Sequence, residues 1–118
     1  MLRVLGGLDD SATRIENRVG EPAANPYLYM ASQIYCGLGG IARALEPGAP
    51  VETPYEANAP ALPKSLLEAV TELEQDAFFR DSFGGDFVDY YTFIKRAEIT
   101  RFEQEVSAWE QREYFDLF

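Results

Sequence analysis

The chain has 118 residues, 47% of them apolar and 14% aromatic, which suits one domain with a modest core rather than two. Twenty acidic residues against ten basic ones give a formal charge of −10, which argues against nucleic acid or an anionic membrane as partner. Histidine is absent, so no His-based triad, His general base or His metal ligand can be built, and the single cysteine allows no internal disulfide.

The acidity serves solubility, or it attracts cations and polyamines. Arg3, Asp9 and Asp10 interrupt any signal-peptide pattern at the N-terminus. The uncharged run from Tyr27 to Ala42 is too short and too glycine-rich to span a bilayer. A cytoplasmic location is therefore expected, with Cys36 a buried structural thiol in an apolar helix.

In chain order, residues 1–5 and 13–19 read as short strands joined by the turn-rich segment 6–11. Leu2 and Val4 would face one side and Arg3 the other. A two-stranded ribbon is marginal alone, so it is expected to belong to a larger sheet. Asn25 then caps a helix with Pro26 at its first position, running to about Leu45 and stopped by Pro47-Gly48. Leu28, Met30, Ala31, Ile34, Tyr35, Leu38 and Ile41 leave it almost no polar face, which predicts burial on most sides. Gly37, Gly39 and Gly40 cost it roughly 1 kcal/mol each relative to alanine, and close packing would offset that.

Residues 46–64 are proline-rich and aperiodic, an extended surface loop. Ser65-Leu66-Leu67-Glu68 is a capping box opening a helix that ends near Asp76, and residues 77–80 read as a short turn before Gly84-Gly85. Asp86 is expected to cap a long helix to about Val106, with an apolar stripe of Phe87, Tyr90, Tyr91 and Ile94, then Ile99, Phe102 and Val106. Arg101 and Glu105 would pair on its outer face. Ser107-Ala108-Trp109-Glu110 is a second capping box and starts a final short helix. The aromatic tail from Trp109 to Phe118 should fold back onto the long helix or anchor a neighbouring subunit. There is no internal repeat.

The chemistry gathers in Arg14-Ile15-Glu16-Asn17-Arg18, followed by Pro22-Ala23-Ala24-Asn25-Pro26-Tyr27-Leu28. Strand alternation puts Arg14, Glu16 and Arg18 on one face and Ile15, Asn17 and Val19 on the other. A carboxylate between two guanidiniums suits an anionic, metal-bound substrate, but spacing alone favours the simpler reading of a charge ladder on a solvated strand face. The segment resembles the C-terminal part of the glutamine synthetase catalytic domain, where an Arg-Ile-Glu-x-Arg strand precedes Pro-Ala-Ala-Asn-Pro-Tyr-Leu at a helix start. Gly37-Leu38-Gly39-Gly40-Ile41, Leu62-Pro63, Ser65-Leu66-Leu67-Glu68-Ala69-Val70 and the ending Trp109 to Phe118 extend the resemblance over nearly the whole chain. The tail is similar to those of a bacterial branch that includes γ-glutamyl-amine and polyamine ligases.

The resemblance implies an α+β fold: a short β-ribbon, part of a larger sheet, followed by a bundle of three to four helices. Residues 1–24 would carry the site on strands and residues 25–118 would be helical, the whole being the C-terminal portion of a catalytic domain. It also implies the roles. Glu16 would be one ligand of a divalent Mg2+ or Mn2+ beside ATP. Arg18 would hold the glutamate substrate near its reacting carboxylate, and Arg14 and Arg3 the ATP phosphates, tasks that suit a forked, permanently charged guanidinium. The implied reaction joins glutamate to ammonia or another amine through γ-glutamyl phosphate, in a double-ringed homo-oligomer. Many family members carry an ATP-binding lysine three residues before Arg14, where this chain has Ser11. Tyr55 lies near a tyrosine that some bacterial members adenylylate, but its surroundings match poorly and an ordinary loop tyrosine is the simpler reading. The family's remaining metal ligands, a histidine among them, lie outside this sequence, so the alternative is a non-catalytic fragment or assembly module.

Overall fold

The first chain reversal is built by glycine and threonine. Gly6 sits at φ +94°, a region side chains rarely adopt, and a Cβ there would lie 2.5 Å from Thr13 Oγ1. The Thr13 hydroxyl donates to the Gly7 carbonyl at 2.8 Å and accepts from the Gly7 N–H at 3.2 Å. Asp10 Oδ1 accepts from the Ala12 N–H at 2.8 Å, a side-chain mimic of a backbone turn. In this computed structural model, which describes residues 2–56 and 58–117, two strands leave that loop. They are β1 (Leu2–Leu5) and β2 (Arg14–Asn17), paired antiparallel. Leu2 lies opposite Asn17, Arg3 opposite Glu16, Val4 opposite Ile15 and Leu5 opposite Arg14. Expectations for Met1 and Phe118 fall outside the described residues.

The chain divides into two compact units, Met1–Gly48 and Ala49–Phe118. In the first, helix α1 (Pro26–Ala42) follows the ribbon. Asn25 caps it as expected, its Oδ1 accepting from Tyr27 N–H at 3.0 Å and Leu28 N–H at 3.3 Å. The helix stops before Pro47. Ala44 turns into the left-handed region at φ +48°, and Leu45 N–H reaches back to the Gly40 carbonyl at 3.0 Å.

The expected burial of α1 is not met within this chain. Tyr27, Met30, Ile34, Leu38 and Ile41 are all exposed, as is Cys36, and no described residue of the first unit is fully buried. Nothing lies within 4 Å of a Cβ placed at Gly37 or Gly40, so close packing does not offset these glycines either. The reason is supply. Strands of four residues offer little to pack on a helix of 17, and only Leu28, Tyr29, Ala31, Ser32, Gly39 and Gly40 of α1 are half-buried. The ribbon's own apolar face, Leu2, Val4 and Ile15, is likewise exposed.

The second unit holds α2 (Leu66–Gln75), α3 (Ala77–Phe83), α4 (Gly85–Glu103) and α5 (Ala108–Tyr114). The architecture is thus the expected α+β one, a short antiparallel ribbon followed by a helical bundle. Ser65 caps α2 through the Glu68 N–H at 3.1 Å, while the Glu68 carboxylate reaches Lys64 N–H at 2.7 Å rather than the Ser65 amide that a capping box requires. Residues 77–80 are helical, not a turn. Asp76 ends α2 and caps α3, its Oδ1 accepting from Phe79 N–H at 2.9 Å. Gly84 at φ +89° is both the last cap of α3 and the first of α4, so Asp86 sits in the first turn of α4 and not at its cap. Helix α4 ends at Glu103, which leaves Glu105 outside it and removes the expected helical pairing with Arg101.

The core of this unit is Val70 of α2 against Val88 and Thr92 of α4. The buried face of α4 is therefore rotated from the expected stripe. It follows Val88, Tyr91, Thr92, Lys95 and Ile99, so Tyr91 and Ile99 of the expected stripe are half-buried while Phe87, Tyr90 and Ile94 are exposed. Thr92 can be buried because its hydroxyl donates to the Val88 carbonyl at 2.9 Å. Arg96 clamps α4 to α2 with a bidentate pair to Glu74, at 2.7 and 2.6 Å, and Arg80 of α3 holds Asp89 of α4 at 2.7 Å. The Arg96 fork holds the Glu74 carboxyl below its ordinary value, and Arg80 does the same for Asp89. Phe79, Phe83, Phe87 and Tyr91 form a run of ring contacts with centroids 5.6–6.2 Å apart, ending at Lys95, 5.7 Å from the Tyr91 centroid.

Ser107 and Glu110 form the complete reciprocal box expected at the start of α5. Ser107 Oγ accepts from Glu110 N–H at 3.1 Å and Glu110 Oε2 from Ser107 N–H at 2.7 Å. Trp109 and Tyr114 meet edge to face at 5.9 Å, yet both stay exposed, as do Phe115 and Leu117. Among the described residues the tail is not folded back into a core. No helix among them is long and apolar enough to cross a membrane.

Candidate functional site

The ribbon's second face carries the candidate residues. Antiparallel register sets Arg3 opposite Glu16 and Leu5 opposite Arg14, so Arg3, Arg14 and Glu16 share a face. Arg3 Nη1 lies 3.9 Å from Glu16 Oε2, within ion-pair range and beyond hydrogen-bond range. That same oxygen is shielded from solvent and has no hydrogen-bond partner. A shielded carboxylate oxygen without a donor is energetically costly, and a cation or a donor from outside the chain would relieve it. Arg14 turns back on its own loop, its Nη1 donating to the Ala12 carbonyl at 3.0 Å.

Arg18 lies one residue beyond the last described pair of the ladder, Leu2 opposite Asn17, and is exposed. In the segment after β2, Asn17 Oδ1 accepts from Val19 N–H at 3.0 Å. Asn17 Nδ2 also donates to Gln33 Oε1 of α1 at 2.8 Å. A Cβ at Gly20 would lie 3.3 Å from Tyr29 Oη, again on α1. Asn17, Gln33 and Tyr29 carry no local sequence pattern that marks them. The Asn17–Gln33 pairing over 16 residues is made by the fold.

As a metal ligand Glu16 fits in part. Its free oxygen is of the type hard divalent cations take, and the Arg3 guanidinium beside it suits the phosphate that such a cation would carry. Among the described residues, however, no group of three or more carboxylate, cysteine or histidine side chains comes together, so Glu16 would supply one ligand of several.

The family model of the glutamine synthetase catalytic domain matches residues 1–114. The chain belongs to the glutamine synthetase family. It is 46% identical to a γ-glutamylanilide synthase from an Acinetobacter species, over 99% of this chain and 26% of that protein. A glutamine synthetase of Thermococcus kodakarensis is 35% identical over 89% of this chain and 28% of its own length. Human lengsin is 33% identical over 92% of this chain and 21% of its own length. The chain thus spans about a quarter of the length of the curated relatives it matches.

Proposed function

We propose that this chain is the C-terminal portion of the catalytic domain of a cytoplasmic, ATP-dependent carboxylate–amine ligase, with site residues in 1–24 and a helical remainder in 25–118. The observation that carries this reading is Glu16 Oε2, shielded and without a donor beside Arg3, in a chain matched by the family model along 1–114. In this reading ATP phosphorylates the γ-carboxylate of glutamate and an amine then displaces the phosphate. Glu16 contributes one ligand to a Mg2+ or Mn2+ ion, which when bound screens phosphate charge during transfer. Arg3 and Arg14 offset charge on the ATP phosphates, and Arg18 binds the glutamate. The higher identity to a protein named γ-glutamylanilide synthase favours an acceptor amine other than ammonia.

The second reading concerns the chain by itself, as an assembly module inactive alone. The exposed apolar faces of the ribbon, α1 and the tail favour it, since such surfaces ordinarily pack against something. In the intact ligase they would meet the rest of the catalytic domain and other subunits of a double-ringed homo-oligomer. The two readings are compatible: a catalytic strand delivered by a piece that needs its surroundings.

The test is Glu16→Gln in the intact ligase, which removes a charge at nearly constant size. Metal affinity and the rate of phosphoryl transfer should both fall while the melting temperature holds. Unchanged metal titration and unchanged kcat would remove Glu16 from the site.

A further inference from the structure

We infer that Asn17 and Gln33 are positioning residues for Arg18, setting the direction from which it meets the amino-acid substrate. The inference rests on the reading of Arg18 given above and adds to it the device that aims the side chain. Two observations carry it. The Asn17 amide acts in two directions at once, folding the chain through Val19 N–H at 3.0 Å and anchoring it through Gln33 Oε1 at 2.8 Å. Gly20 closes the same segment against α1, where a Cβ would press the Tyr29 hydroxyl at 3.3 Å. Arg18 thus lies between the Asn17 tether to α1 and the close approach of Gly20 to the same helix.

The anchor is itself fixed. Gln33 lies two turns into a helix whose start is set by the Asn25 cap and by Pro26, so its backbone has little freedom. Asn17 lies between Glu16 and Arg18, and one amide thus relates the end of the strand that bears the carboxylate to the turn that bears the guanidinium. Bidentate recognition by arginine is sharply directional, so a small rotation of this turn would weaken substrate binding without touching the nucleotide side of the ribbon.

The test compares Gln33→Leu with Gln33→Glu and Arg18→Ala in the intact ligase, with melting temperature, and KM and kcat for both the amino acid and ATP. Gln33→Leu deletes the acceptor; Gln33→Glu keeps an oxygen for the Asn17 amide and serves as the rescue. Loss of orientation by a fraction of an ångström predicts an amino-acid KM raised roughly tenfold in Gln33→Leu, with ATP KM within about twofold and the melting temperature held. Gln33→Glu should restore the amino-acid KM, a result that a purely packing role for Gln33 does not produce. An unchanged amino-acid KM in Gln33→Leu, alongside a raised one in Arg18→Ala, overturns the positioning role and leaves the Arg18 reading intact. An unchanged value in Arg18→Ala overturns that reading and the positioning role with it. Equal rises in the amino-acid and ATP values for Gln33→Leu mean general loosening of the ribbon, and also overturn the inference.

Discussion

Val88→Ala is the substitution that most directly tests how the helical unit is held together. Val88 is 1% exposed and lies on α4, which packs against the α2 helix that carries buried Val70. Truncation removes two carbons, a transfer loss of about 1.6 kcal/mol at about 0.8 kcal/mol per buried carbon. A void of about 40 Å³ left behind adds about 1 kcal/mol at about 24 cal/mol per Å³. Alanine is the better helix former, which returns about 0.5 kcal/mol. The net destabilisation is about 2 kcal/mol, and in a unit of this size the melting temperature should fall by roughly 8–16 °C. The control is Tyr90→Ala, two residues away on the same helix and 67% exposed, which should stay within about 0.5 kcal/mol of the parent. The assay is thermal melting of the 118-residue chain followed by far-ultraviolet circular dichroism. If Tyr90→Ala costs as much as Val88→Ala, the face of α4 has been assigned wrongly and the stripe through Phe87 and Tyr90 is the buried one.

The remaining predictions concern activity, assembly and pH. The 118-residue chain alone should release no phosphate from ATP with magnesium or manganese, glutamate and ammonia, because one carboxylate cannot hold the cation; turnover above a Glu16→Ala control refutes this. Deleting residues 109–118 should leave the melting temperature of the isolated chain nearly unchanged, since Trp109, Tyr114, Phe115 and Leu117 are exposed, but should reduce the particle mass of the intact protein in light scattering. A large loss of stability in the isolated chain would mean the tail packs in cis. Glu74, Asp89 and Glu110 have carboxyls lowered by Arg96, Arg80 and the Ser107 cap, so folding releases their protons more readily than the unfolded chain does. Their contribution is complete above their ordinary values of about 4 and is lost as pH falls through the lowered ones. Melting temperature should therefore drop on acidification in that window, and Glu74→Gln should flatten the drop; an identical slope in the variant contradicts the role of the Arg96 clamp.

What the sequence by itself determined was the local grammar of this chain. Asn25-Pro26, Ser65 and Ser107 are caps because short polar side chains satisfy free N–H groups at helix starts, and that chemistry acts within three residues. The two-strand ribbon and the long helices were legible for the same reason, as was the family, which is written in the order of residues 14–28. The short helix α3 was missed because Asp76 serves both as the end of one helix and the start of the next, and local signals do not separate those roles. Tertiary structure alone decided which faces are covered. The side of α4 carrying Thr92 and Lys95 turns inward because a hydroxyl can satisfy itself on its own helix and a lysine stem can lie along apolar surface, while Tyr90 and Phe93 stay outside. It also decided the geometry around the candidate residues. Pairing Arg3 with Glu16 needs a register and tying Asn17 to Gln33 needs a packed helix, and both depend on residues far apart in the chain being brought within a few ångströms.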